Sequence, residues 1–239
     1  MYCLVPAGVG VVLTEEHLVP RALGGRITLP DAVCEPCRRL TGRLEQFTLD
    51  REFAVPKTLL ALKRRRARAD GPKRLPPVTL AGDAAPSTLT AATFPRRFAL
   101  PAFGPPGLLS ERPADEPSPI ADVDCRLDLG APTRATVAAP PSLPDPFAYA
   151  YSVAKWAFAL TVAHRGLDAC DLQPMRDLMR GRRHDVFAFV GSPSPAAAVS
   201  RQWLHDVAWR DESGWLVARL ALFASAGMAP YEVVIGRRV

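Results

Sequence analysis

Glu16 and His17 stand side by side, followed by Pro20, the triplet Leu23-Gly24-Gly25 and then Cys34-Glu35-Pro36-Cys37. Hydrolysis of a phosphodiester needs a base to activate water and a cation to neutralise charge on the phosphate and the departing oxygen. A histidine beside a carboxylate supplies both parts. His17 is therefore the candidate general base, and Glu16 the candidate ligand of a catalytic divalent ion, Mg2+ or Mn2+. Neighbouring side chains on an extended segment point to opposite faces, so a bulge at the strand end is needed to turn both towards one cleft.

Cys34 and Cys37 have the spacing of half a tetrahedral zinc site, with Cys3 as the candidate third thiol. A partner three residues before Cys3 would fall immediately ahead of Met1, so an upstream start supplying a cysteine there is one expectation. Taken singly, each of these features has a plainer reading. A histidine at a strand end is commonly structural, and Cys-x-x-Cys also serves as a redox pair. Their co-occurrence within one short segment shifts the balance towards a site.

On Glu16, His17, Pro20, Leu23, Gly24, Gly25, Cys34 and Cys37, with Thr41-Gly42 behind them, the segment from Cys3 to Phe53 resembles the HNH family of ββα-metal endonucleases. The resemblance implies a hairpin carrying the Glu-His pair, a helix starting near Pro36, a structural zinc held between two knuckles, and a catalytic divalent ion. The chain departs from the family at Arg38, where an asparagine or histidine ligand is usual. A guanidinium stays protonated and offers no lone pair, so it cannot ligate a cation.

The elements that must position these residues fall into three zones. Residues 1–70 hold the motif, and Leu40, Leu44 and Phe47 recur at helical spacing behind the Cys34–Cys37 pair, with a further short helix expected over residues 57–68. Residues 71–146 carry 16 of the 25 prolines and read as an extended connector, with short strands expected at residues 96–100 and 122–129. Residues 147–239 read as a compact unit: a buried helix over 147–164 with Lys155 reaching solvent or a phosphate, and a shorter helix over 172–180. Strands are expected at 185–190, 202–209, 215–223 and 231–235, the last three as an antiparallel meander. The predicted class is thus α+β: a ββα zinc-knuckle module, a proline-rich connector and a C-terminal α+β domain with antiparallel strands. Lys155, Ala157, Gly166, Gly181, Val190-Gly191, Leu222-Phe223 and Tyr231 to Gly236 also resemble the C-terminal half of standalone HNH-family proteins.

Composition narrows the function. At 239 residues and 48% hydrophobic content the chain can build real cores. Five cysteines with one pair at knuckle spacing argue against a disulfide framework and for a reducing, cytoplasmic setting. The apolar run 147–163 is broken by Lys155 and too short to span a bilayer, so no membrane partner is expected. The net charge of +6 is concentrated in residues 1–74, which hold 14 Lys and Arg against 8 Asp and Glu. Lys63, Arg64, Arg65, Arg66 and Arg68 form a run suited to neutralising phosphates, which makes nucleic acid, DNA first, the expected partner. The leading expectation is a metal-dependent endonuclease, degenerate if Arg38 has removed a needed ligand. Its rival is a non-catalytic zinc-knuckle nucleic-acid-binding protein in which Arg38 itself contacts a phosphate, and a third, weaker reading is a zinc module in a protein-interaction factor. The occupant of the cleft opposite Glu16 separates the first two.

Overall fold

A computed structural model describes residues 1–6, 8, 10–60, 62, 75, 77, 79, 84–90, 94, 97–110, 120–126, 145–193 and 202–238. The basic run Lys63, Arg64, Arg65, Arg66 and Arg68, and most of the proline-rich segment, lie outside these residues.

The order of elements at the N-terminus is strand, strand, helix. β1 (Leu13–His17) pairs antiparallel with β2 (Thr28–Cys34), and the register shifts between Thr14 and Glu16, where Glu15 alone stands opposite residues 30–32; the extra residues, with Asp31 at φ 47°, therefore lie on β2 and not, as expected, on the strand that carries the Glu-His pair. β2 runs straight into α1 (Glu35–Arg51), with Cys34 in extended geometry at its N-cap and Pro36 in the first turn, where a missing amide costs nothing. α2 (Ala54–Leu59) follows and takes Pro56 into its first turn, so it begins earlier than the helix expected from residue 57.

The loop between β1 and β2 explains the Pro-x-x-Leu-Gly-Gly spacing. The Pro20 carbonyl accepts from both Leu23 N–H (2.8 Å) and Gly25 N–H (3.1 Å), and Leu23 is fully buried beneath the turn. Gly24 closes it at φ 90°, a conformation side chains rarely adopt. At Gly25 a Cβ would lie 1.9 Å from the Val19 carbonyl oxygen, so only hydrogen fits.

β3 (Arg97–Phe103) and β4 (Ile120–Arg126) lie where strands are expected within the connector, at 96–100 and 122–129, and beyond that expectation they pair with each other in continuous antiparallel register. α3 (Pro146–Arg165) is the central helix. Asp145 caps it by accepting from Ala148 N–H at 3.0 Å, Gly166 ends it, and every residue from Ala148 to Val162 is buried, as befits a helix apolar on all sides. α4 (Gln173–Met179) matches the second expected helix. The expected strand over 185–190 is corrected: Val186–Phe189 form α5, a single helical turn, and only Val190–Gly191 are extended as β5. The apolar content of this run is satisfied by burial in either geometry, which periodicity over so short a stretch cannot separate.

β6 (His205–Glu212), β7 (Trp215–Leu222) and β8 (Tyr231–Arg237) make the antiparallel meander, in the sheet order β5-β8-β7-β6. The fold is therefore mixed α+β with antiparallel sheets. Composition divides the chain near residues 70 and 147, yet the first and third segments share one hydrophobic core instead of having one each. Tyr2 stacks on Phe158 and Phe53 on Tyr149, each pair with ring centroids 5.6 Å apart.

His205 joins the N-terminal loop to the C-terminal sheet. Its Nδ1 accepts from Phe223 N–H (3.2 Å), which leaves Nε2 to carry the hydrogen and donate to the Leu23 carbonyl at 2.8 Å. Phe223 sits at φ 51°, an uncommon conformation for an aromatic residue, and His205 satisfies its amide. Burial lowers the His205 pKa from 6.5, against the opposing pull of the Leu23 hydrogen bond. The unfolded chain then binds more protons below pH 6.5 than the folded one. This contribution to stability is full above pH 6.5 and is lost as the pH falls through the folded value. Urea unfolding at pH 8 and pH 5 is expected to show a smaller drop in stability for His205→Gln than for the wild type; equal drops would remove His205 from the account.

Candidate functional site

Cys34 and Cys37 stand one turn apart at the start of α1, a spacing that sets both sulfurs on one side of the helix. Cys3 reaches them from the segment ahead of β1. The three Sγ atoms lie within 4.8 Å of one another, Cys3 and Cys34 at 3.4 Å, and all three are free thiols. Thiolates around zinc with bonds of about 2.3 Å sit roughly 3.8 Å apart, so the cluster fits such an ion without large movement. Among the described residues this is the one His/Cys/Asp/Glu group so arranged.

The thiols do not ionise alike. Burial, helped by its hydrogen bonds with Cys34 and Cys3, pushes Cys37 up to about 12. Burial also opposes ionisation of Cys3, but hydrogen bonds involving the Val5 backbone, Cys34 and Cys37, together with the positive amino terminus, outweigh it and lower its pKa. A metal binding here must displace thiol protons, above all at Cys37.

Glu16 does not face this cluster or open solvent. Its carboxylate is buried, and Oε1 receives the Lys155 ammonium at 2.9 Å and the Tyr2 hydroxyl at 3.2 Å. Lys155 is shared: its Nζ lies 2.8 Å from Glu45 Oε2, while Trp156 Nε1 donates to Glu45 Oε1 at 2.6 Å. The Lys155 and Glu16 side chains are only 5% and 7% exposed. Burial disfavours the charge on Lys155, but Glu45 and Glu16 outweigh that and raise its pKa. Burial, reinforced by Glu16, holds the Tyr2 phenol protonated, so it remains a donor. The sequence reading of Lys155 as a residue reaching solvent or a phosphate is thereby corrected, because the buried Glu16 and the half-buried Glu45 hold its head group inside.

His17, the next residue, is half-buried at the end of β1. The pair thus divides: Glu16 turns into the interior and His17 stays within reach of solvent. Arg38 is exposed and forms a bidentate pair with Glu35 (2.6 and 2.8 Å), and Arg39 adds a third bond at 2.7 Å. These bonds hold the Glu35 carboxyl at about 2. Pairing with Glu35 raises the Arg38 pKa, the Glu16 charge contributing least, so the cation in contact with the carboxylate assigned to a metal is Lys155. Asp31 and Asp50 are exposed, and Asp50 engages Gln46 and Lys57 away from Glu16.

Sequence reasoning missed Glu45, Tyr2 and Trp156. The signal available was an apolar helix carrying a lone lysine, which requires a buried counter-charge from elsewhere in the chain.

If the three thiols act as one site, zinc added to metal-free protein is expected to saturate at one equivalent, to release protons and to bind more tightly as pH rises. Cys34→Ser is expected to lose that binding. Calorimetry in two buffers of different ionisation enthalpy measures both, and retention of wild-type affinity in the mutant would break up the cluster. Compared with family models, curated proteins and solved structures, the chain finds no match among any of the three, so its functional reading rests on these residues.

Proposed function

We propose that this chain is a nucleic-acid-binding protein of HNH-like build, stabilised by zinc at Cys3, Cys34 and Cys37, in which an internal ion pair replaces the hydrolytic metal centre. One observation carries the reading: the cation opposite Glu16 is the ammonium of Lys155, 2.9 Å away and buried. A divalent ion at Glu16 would have to displace it, and uncoupling a buried pair by removing one partner costs about 3–5 kcal/mol. Arg38, standing where a ligand would be expected, is paired with Glu35 and has no lone pair to offer a cation.

Support for nucleic acid comes from charge. Arg21, Arg26, Arg38, Arg39 and Arg43 are exposed around the hairpin and α1, and the run Lys63, Arg64, Arg65, Arg66 and Arg68 follows in sequence. Such a set neutralises phosphates and releases counterions whatever the base sequence, with duplex DNA as the first partner to test. Free thiols at the cluster suit a reducing compartment such as the cytoplasm. The endonuclease reading, with His17 as base and Mg2+ or Mn2+ at Glu16, retains one observation in its favour, a half-buried His17 within reach of solvent.

Two assays on the same protein separate these readings. Fluorescence anisotropy with a DNA duplex is expected to give an affinity that falls steeply with salt. Replacing Arg64, Arg65 and Arg66 together by serine is expected to flatten the slope of log affinity against log salt by about three units at most, roughly 0.9 per lost contact. Plasmid nicking with magnesium or manganese is expected to be absent in both the wild type and His17→Ala. Nicking by the wild type that His17→Ala abolishes would restore the endonuclease; absence of any salt-sensitive binding would end the nucleic-acid reading.

A further inference from the structure

Three segments meet at Gly24. A Cβ there would lie 3.0 Å from Leu204 Cδ2 and 3.6 Å from Leu62 Cδ2, and the neighbouring Leu23 carbonyl accepts from His205. Trp203 is thus carried to the hairpin loop by a fixed backbone: its carbonyl accepts from Ser225 N–H at 3.0 Å, and that of Leu204 from Ala224 N–H at 2.8 Å. Its side chain nevertheless remains 66% exposed, the most of any aromatic among the described residues, where the other three tryptophans are buried or half-buried. Leaving a large indole in water forfeits burial worth about 2 kcal/mol or more, and a ring held this way offers an uncovered face on which a flat group can stack.

The chemistry of the surroundings names that partner. The loop residues 18–27 carry Arg21 and Arg26, both exposed, and no carboxylate; residues 202–205 carry no acid either. A rigidly mounted aromatic face, on a segment packed against a loop that carries two exposed arginines and followed by only the half-buried Asp206, matches the recognition of single strands, in which positive charge tracks the backbone and a base stacks on the ring. A base paired within a duplex keeps its faces covered by neighbouring pairs, so the ring selects an unpaired one.

Resting on the nucleic-acid reading above, we propose that Trp203 is a stacking platform for an unpaired base, with Arg21 and Arg26 holding the adjoining phosphates. The protein then prefers single-stranded or locally opened nucleic acid over intact duplex of the same sequence. Trp203 fixes the base and the arginines fix the strand.

The test uses the full chain and a short oligothymidylate. Its binding is expected to quench tryptophan emission in the wild type but far less in Trp203→Phe. Trp203→Ala, an exposed substitution compatible with folding, is expected to weaken oligothymidylate binding by roughly 5- to 150-fold, the range of one lost base stack. Trp203→Phe is expected to keep most of the affinity, and duplex affinity to change little in either variant. If Trp203→Ala binds the oligonucleotide as the wild type does while salt-sensitive binding persists, the stacking platform is wrong and the nucleic-acid reading stands. If the wild type binds neither strand form at low salt, both fall together.

Discussion

The Lys155 ammonium between Glu16 and Glu45 ties together three parts of the chain that are far apart in sequence. Glu16 lies one residue before the end of β1, Glu45 lies in the middle of α1, and Lys155 projects from the central helix α3. Each charge is affordable in the interior only because the others are present, for an isolated ion there would be neutralised or expelled. The hairpin and the central helix therefore cannot be positioned independently. Tyr2 and Trp156 complete the arrangement by donating to the two carboxylates, and hydrogen-bonded closure of this kind is what makes a buried polar centre tolerable.

Tyr2 also joins this centre to the cysteines. It precedes Cys3, its ring stacks on Phe158 of α3, and its hydroxyl reaches Glu16. A metal fixing Cys3 against Cys34 and Cys37 would fix Tyr2 as well, so the cluster organises the start of the chain and, through it, the environment of Glu16. The loop that follows Glu16 is set by backbone constraints of its own, the double acceptance at the Pro20 carbonyl and the absence of room at Gly25. Most of the Glu-His to Gly-Gly motif is thus accounted for by packing, with His17 left half-exposed.

Where local chemistry decides, the sequence was readable. Pro36 after Cys34 marks the start of α1, Gly166 the end of α3, and richness in branched and aromatic residues between Gly, Pro and Ser marks β6, β7 and β8. The grouping of Cys3 with Cys34 and Cys37 followed from ligand type and spacing. What failed to show was anything decided by packing between distant segments. The buried face of α1 is not Leu40 and Phe47, which are 45% and 36% exposed, but a row including Cys37, Thr41 and Thr48. Thr48 donates to the Ala148 carbonyl and receives from Ser152, so the contact between α1 and α3 is built from hydroxyls that hydropathy assigns to the surface. Glu45 belongs to the same face, and its role could not be read before α3 was known to lie against it. Val186–Phe189 was misassigned because four apolar residues fit a strand or a turn of helix equally well.

Everything said of function turns on whether Glu16 already has its cation. Manganese binding followed by electron paramagnetic resonance, on protein supplied with one equivalent of zinc, asks this directly, since free and bound manganese give distinct signals. The expected result is no stoichiometric manganese in the wild type and no difference on Glu16→Gln, because Lys155 holds the carboxylate. One bound equivalent in the wild type that disappears in Glu16→Gln would show the ammonium to be displaceable and would contradict the account.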